Sequence, residues 1–209
     1  MDIIEQLNWR YATKIFDKTK KINKHDFEEL LEAFRLSASS LGFQHYELLV
    51  VEDQQIREAL LPCTWNQKQA TDASHYLVFC TKNKLTEQDI DNHLLNISQT
   101  RNQSIDKVQP YGQRIRNFLK NKDERDIFEW LSNQVFIALG NLMTVCAVKN
   151  IDTCAIGGFE PEKYAEILGL KEKELTPVVC LAVGYRSEED TYQAVNKVRK
   201  TMENLVRFI

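Results

Sequence analysis

A chain of 209 residues is long enough to bury a core and short enough to be one domain. Its 43% hydrophobic and 27% charged residues are ordinary globular values, and a net charge of −3 argues against a cationic nucleic-acid-binding surface. Basic residues therefore matter locally, as a pocket for a small anion. No run approaches the roughly 20 apolar residues a bilayer span needs. Asp2 and Glu5 sit where a secretory h-region would begin, so neither a leader nor a membrane partner is expected.

Asp2 with Glu5 forms a capping signature for a first helix ending near Asn8. "RYATKIFD" follows, Arg10 to Asp17, with two cations four residues apart. "HDFEELLEAFRLS" carries Phe27, Leu30, Leu31 and Phe34 at helical spacing and predicts a helix over about 24–36. "YELLVVED" reads as a strand, "QQIREALLP" as a short helix stopped by Pro62, and "HYLVFCTK" as a second strand. Both strands are continuously apolar, as in the middle of a sheet covered on both faces.

Residues 86–122 are polar with helical periodicity and an expected break at Pro110, a helical excursion over the surface. In "RDIFEWLSNQVFIALGNLMTVCAVKN" apolar residues occupy nearly every face, which predicts a long central helix buried on more than one side. A short strand leads into "CAIGGFEP". A helix near 162–168 closes at Gly169, and "TPVVCLAVGY" is a strong strand. The tail, 186–209, is charged but ends in "NLVRFI". Helices outnumber strands, and helical material separates each strand from the next. This predicts one α/β or α+β domain with a modest sheet layered between helices.

Arg10 and Lys14 could be joined by Lys197 and Arg199 from "NKVRK". A phosphate monoester carries about −1.5 to −2 charges and three acceptor oxygens, so it recruits several such donors; the alternative is four solvated surface cations. "SASSLGFQ", Ser37 to Gln44, is either a polar ligand loop or a helix end stopping at Gly42. "AIGGFE" lets a backbone approach a flat ligand closely, or is an ordinary turn with Pro161 opening a helix. It is neither a P-loop nor a G-x-G-x-x-G. The four histidines show no metal-ligand spacing, so no metal is expected, and Asp72 with His75 reads as a helix end entering a strand. The five cysteines form no C-x-x-C pair and read as buried free thiols of a reducing cytoplasm.

"DIIEQLNWRYATKIFD", "SASSLGFQ", "DASHYLVFC", "FEWLSNQVFIALGN", "AIGGFE" and "LGLKEKELTPVVCLAVGYRSEED" resemble, in order and spacing, the FMN-dependent nitroreductase family. Oxygen-insensitive NAD(P)H nitroreductases and dihydropteridine-reductase-like members are the most similar in pattern. The likeness covers most of the chain and is weakest over 85–126. It implies an α+β fold, a three-layer α/β/α sandwich, and an intertwined homodimer with two FMN molecules at the subunit interface. The whole chain, 1–209, would be one FMN-binding domain whose tail, 186–209, wraps the partner.

By that resemblance, Arg10, Tyr11, Ala12 and Lys14 form the first flavin-binding segment. Arg10 takes the phosphate with Lys197 and Arg199. Lys14 lies at the N1/C2 edge of the ring as the catalytic cation, where positive charge stabilises the reduced form. Ser37, Ser39, Ser40 and Gln44 match the loop that reaches the cofactor from the second subunit. Asn66 and Gln69 match the pyrimidine-edge pair, and Ala155, Ile156, Gly157 and Gly158 the segment whose backbone amide faces N5. Phe118 is a candidate substrate gate, or a packing residue. The implied activity is ping-pong transfer from NADH or NADPH to nitroaromatics, quinones or similar flat small-molecule acceptors. The chain departs from the family pattern at several positions. Gln69 replaces a basic residue, Ala12 a serine, His45-Tyr46 a Pro-Trp, Gly42 an asparagine and Gly157 an acid. The loss of charge at Gln69 leaves room for a flavin-handling protein with little reductase turnover.

Overall fold

The computed structural model describes residues 2–209. Strands Tyr46–Val51 (β1), His75–Lys82 (β2), Asp152–Ile156 (β3) and Leu175–Gly184 (β4) form one sheet in the order β1-β2-β4-β3, with every neighbouring pair antiparallel. Successive side chains of a strand point to opposite faces, and β2 shows the consequence. Tyr76, Val78 and Cys80 enter one core with Cys154, Ile156, Cys180 and Ala182, whereas Leu77 and Phe79 enter the other with Val179, Leu181 and Val183.

Helices complete a layer on each face. The first core is closed by Leu60 of Gln54–Leu60 (α3), Tyr164 of Pro161–Ile167 (α8) and Phe16. The second is closed by Leu30 of Lys24–Arg35 (α2) and by Val135, Leu139, Leu142 and Cys146 of Glu124–Val148 (α7). This is the three-layer α/β/α sandwich expected. By length and composition α7 is apolar enough to cross a bilayer, contrary to the sequence reading. Its Leu131, Val135, Ala138 and Leu142 are nonetheless buried inside the protein, as a core helix requires. All five cysteines are free and buried, spread over both helical layers and the sheet.

Two expectations need correcting. β1 is not a central strand but an edge strand, paired only with β2, and most of its side chains are half-buried. Pro110 does not break the excursion either. It lies inside Ile105–Leu119 (α6), and the break falls between Glu87–Thr100 (α5) and α6. There Asn102 is left-handed at φ 49°, and the Gln103 amide donates to the Ser98 carbonyl at 3.0 Å, a helix-terminating geometry. Pro110 costs its helix one hydrogen bond. Packing holds the helix anyway, because Val108 and Ile115 join Ile90, Leu94 and Phe43 in a third core.

Two shorter helices bear on the site. Asp2 caps Ile3–Trp9 (α1) through the Ile4 amide at 2.8 Å. Gln69–Asp72 (α4) follows a tight loop after α3.

Candidate functional site

The two ends of the chain meet. Residues 8–12, 14 and 192–199 line a cleft of about 480 Å³. Arg10 and Lys14 enter it from one side, Lys197 and Arg199 from the other, and among the described residues no aspartate or glutamate lines it. The Lys197 ammonium donates to the carbonyls of Leu7 and Arg10, which anchors the tail against the end of α1. Burial, and then the Arg199 charge, pull the Arg10 pKa down. Burial, and then Arg10 and Arg199, do the same to Lys197. The Arg10 Nε is buried with no hydrogen-bond partner among the described residues. Crowded like charges and an orphaned guanidinium donor are costly in isolation. A phosphate group would satisfy both, so these residues fit one.

Behind the cleft a carboxylate with 1% exposure organises the cationic loop. Asp190 accepts the Lys14 amide at 2.7 Å, the Ile15 amide at 3.1 Å and the Tyr11 hydroxyl at 2.8 Å through one oxygen, and the Tyr192 amide at 3.1 Å through the other. Burial alone pushes its pKa up; the donors from Ile15, Lys14, Tyr11 and Tyr192 outweigh that and hold it below the ordinary value. The Lys14 ammonium remains exposed, 5.7 Å from the centre of the Tyr192 ring.

Next to it the Arg186 guanidinium lies between the rings of Trp9 and Tyr11, at 4.2 and 4.6 Å, and donates to buried Asp152 at 2.8 Å. Asp190, Asp152, Arg186 and Trp9 were not identified from the sequence. In "RSEED" the acid and arginine look like a solvated charge run, and only the fold separates buried Asp190 from its exposed neighbours.

β3 joins this cleft to the other predicted segments. At one end Ala12 forms an isolated parallel bridge to Thr153. At the other, the strand runs into exposed Gly157 and half-buried Gly158, where Gln67 donates to the Gly158 carbonyl at 3.0 Å and the Glu160 amide to the Cys63 carbonyl at 2.9 Å. The Trp65–Asn66 turn is thereby held beside Gly158. Trp65 and Asn66 are both left-handed, at φ 53° and 57°, which for a bulky residue costs of order 1–3 kcal/mol. Contacts beneath the turn sustain it. The Asn66 amide donates to the Leu61 carbonyl at 3.1 Å, and buried Thr64 bonds the Leu60 carbonyl at 2.7 Å and the Tyr164 hydroxyl, itself 2.8 Å from the Tyr76 hydroxyl. Gln69 opens α4 and is buried. Arg10, Tyr11, Ala12, Lys14, Asn66 and 155–158 thus border one edge of the sheet, whereas nothing ties the buried Gln69 side chain to it.

The serine loop lies apart from that edge within one chain. Its groups satisfy one another at the end of α2: the Ser39 hydroxyl accepts the Gln44 amide, Gln44 Nε2 donates to the Arg35 carbonyl, and the Asn141 amide group donates to the Ser37 hydroxyl. The Ser40 amide donates to Gln134 on α7 at 2.6 Å. The excursion also grips this loop, because the Leu41 carbonyl accepts from the His93 ring at 3.1 Å and the Tyr111 hydroxyl at 2.8 Å. Phe118 on α6 packs 5.3 Å from Trp130, centre to centre, under the Lys122 ammonium, and does not line the cleft.

A family model described as the nitroreductase family matches residues 7–185, and the chain belongs to that family. Provisionally named NAD(P)H nitroreductases of Staphylococcus haemolyticus and Staphylococcus epidermidis are 35% and 36% identical to it, covering 99% of this chain and 97% and 96% of their own lengths. Among solved structures, a provisionally named nitroreductase of Bacillus subtilis superposes with TM-score 0.87 at 20% identity, over 99% of this chain and 98% of that one. Another, from Exiguobacterium sibiricum in complex with FMN, gives TM-score 0.84 at 21% identity, over 100% and 98%. At such identities the structural likeness establishes the α+β nitroreductase fold.

Proposed function

We propose that this protein is an FMN-dependent NAD(P)H oxidoreductase that reduces nitroaromatics, quinones or similar flat acceptors in a ping-pong cycle. One observation carries the reading: both ends of the chain bring cations to a cleft without carboxylates, beside the sheet edge that ends in the Gly157–Gly158 backbone. The FMN-bound relative supports the choice of anion. Bound FMN supplies hydride chemistry, accepting two electrons from a reduced nicotinamide and passing them to a second substrate.

This chain's residues do the rest. Arg10, Lys197 and Arg199 hold the phosphate, with Arg10 Nε as an available donor. Asp190 fixes the backbone of Lys14 so that its ammonium offers a preorganised positive charge at the pyrimidine edge. Asn66 and Gln69 offer neutral hydrogen-bonding groups to that same edge. The backbone of 155–158 offers N–H donors without adding a titrating group.

Ser37, Ser39, Ser40 and Gln44 lie away from this edge, so their expected contribution requires a second copy of the chain, and a homodimer belongs to the proposal. Phe118 would gate the acceptor slot from the same partner. The uncharged Gln69 favours a second reading, a flavin-binding protein with slow turnover.

Purified protein incubated with FMN and desalted should stay yellow and should bleach with NADH or NADPH under anaerobic conditions. A colourless product refutes cofactor binding, and a yellow one that neither nicotinamide bleaches supports the second reading.

A further inference from the structure

The serine loop holds a conformation that its own residues do not favour. Leu41 and Gln44 are left-handed at φ 58° and 46°, a costly state for residues with a side chain, and one that persists only where the surroundings impose it. Part of that constraint comes from α7. Gln134, 6% exposed, accepts the Ser40 amide through Oε1 at 2.6 Å, and its Nε2 donates to the Trp130 carbonyl at 3.0 Å. Both ends of the carboxamide are therefore fixed. Two turns further along the same face, the Asn141 amide group donates to the Ala33 carbonyl at 2.8 Å and the Ser37 hydroxyl at 3.0 Å. The Gln134 clip engages the Ser40 amide and not its hydroxyl, which leaves the hydroxyl for a ligand. The same helix shows Phe136 and Ile137, 52% and 47% exposed, which suits the dimer proposed above.

We propose that Gln134 is a positioning residue that acts across the dimer: by holding the Ser40 amide of its own chain, it sets the loop that completes the FMN site of the partner. This inference rests on the flavin-dependent homodimer reading above. The loop lies apart from the cleft of its own chain, so a defect at Gln134 has to appear in the other chain's site. A role confined to packing would instead weaken the chain that carries the change.

The test pairs two damaged chains. Gln134→Met keeps length and helix propensity but offers the Ser40 N–H no oxygen, and Arg10→Ala damages the cleft of its own chain. Wild-type titration comes first: a protein that takes up no FMN overturns the flavin reading, and is told apart from a failure at Gln134 because no variant is involved. Each variant homodimer should bind FMN about tenfold more weakly than wild type in fluorescence titration. Tenfold corresponds to about 1.4 kcal/mol, the order of an amide left without its acceptor. Chains with different tags are then co-expressed, and the mixed dimer is purified on both tags. One of its sites combines both defects, whereas the other joins an intact cleft to an intact loop. One FMN per mixed dimer should therefore bind within about twofold of wild-type affinity. A mixed dimer weak at both sites overturns the proposal, as does a Gln134→Met homodimer within twofold of wild type. A wild type that binds FMN as a monomer in sedimentation overturns it as well. Gln134→Leu, which also lacks the accepting oxygen, takes the same place in the mixed dimer where Gln134→Met does not fold.

Discussion

Lys14 and Asp190 divide one task between a side chain and its support. The Lys14 ammonium stays exposed while its amide is held by a buried carboxylate. Replacing Lys14 with Met should leave FMN bound and lower the flavin midpoint potential, measured by equilibration with a reference dye. An unchanged potential excludes the charge-stabilising role. Asp190→Asn keeps the shape, but the charge is lost, and with its one oxygen on the three converging donors its amide nitrogen faces the Tyr192 N–H, which it cannot accept. Hydrogen bonds to charged groups are worth roughly 1.5–3 kcal/mol each and are not additive. A loss of about 3 kcal/mol in denaturant unfolding is therefore expected, together with weaker FMN binding. The cations of this site were readable from the sequence, because two basic clusters at opposite ends of an acidic chain invite a common anion. Their support was not, because nothing in the local pattern tells Asp190 from the acids beside it.

At the level of elements, the long apolar helix and the strongly periodic α2 were legible, since their patterns leave few alternatives. β1 was misplaced because a continuous apolar run suits a central strand and a partly covered edge strand alike. Pro110 misled because local propensity was outweighed by packing in the α5–α6 seam. That seam has a narrow point, where a Cβ added at Gly112 would come within 2.5 Å of the Leu94 Cδ1. Ala there gains about 1 kcal/mol of helix propensity against an overpacking cost of about 1–3 kcal/mol. Gly112→Val adds bulk and β-branching to the same clash and should be clearly destabilising, by about 2 kcal/mol. A thermal midpoint equal to wild type would show that the two helices part easily. Tyr164→Phe tests the support beneath Trp65. It leaves the Tyr76 and Thr64 hydroxyls buried without their shared partner, at about 1–3 kcal/mol, and should broaden the Trp65 emission.

For the molecule as a whole, acid should act first through His75. Burial, followed by the charges of Arg57 and Lys21, lowers its pKa to about 4, while in the unfolded chain it stays near 6.5. The folded state thus binds fewer protons between those values, and stability is lost as pH falls from about 6.5 toward 4. Asp190 adds a later loss: its depressed value stabilises above the unfolded value of about 3.9 and fails below it. His75→Phe keeps the stack on Phe27, now 3.8 Å between ring centres, and should flatten the first part of the curve in denaturant titrations at each pH. The tail is the other global feature. Val198 and Phe208 are 86% and 95% exposed, a run that only another surface would cover, which agrees with the dimer proposed above. Removing 194–209 takes away Lys197 and Arg199 and should abolish tight FMN retention on desalting.

The buried thiols offer a last consequence. Cys146 sits in α7, Cys180 and Cys80 in the two central strands, Cys154 in the edge strand and Cys63 between α3 and α4. Burial raises the first three to about 12, so an alkylating reagent meets no thiolate until a layer parts. Timed iodoacetamide pulses read by peptide mass should therefore record the order in which the layers come undone. Modification is expected first at the rim, at Cys63 and Cys154, and last at Cys180. Simultaneous capture of all five would show a protein that opens as one unit.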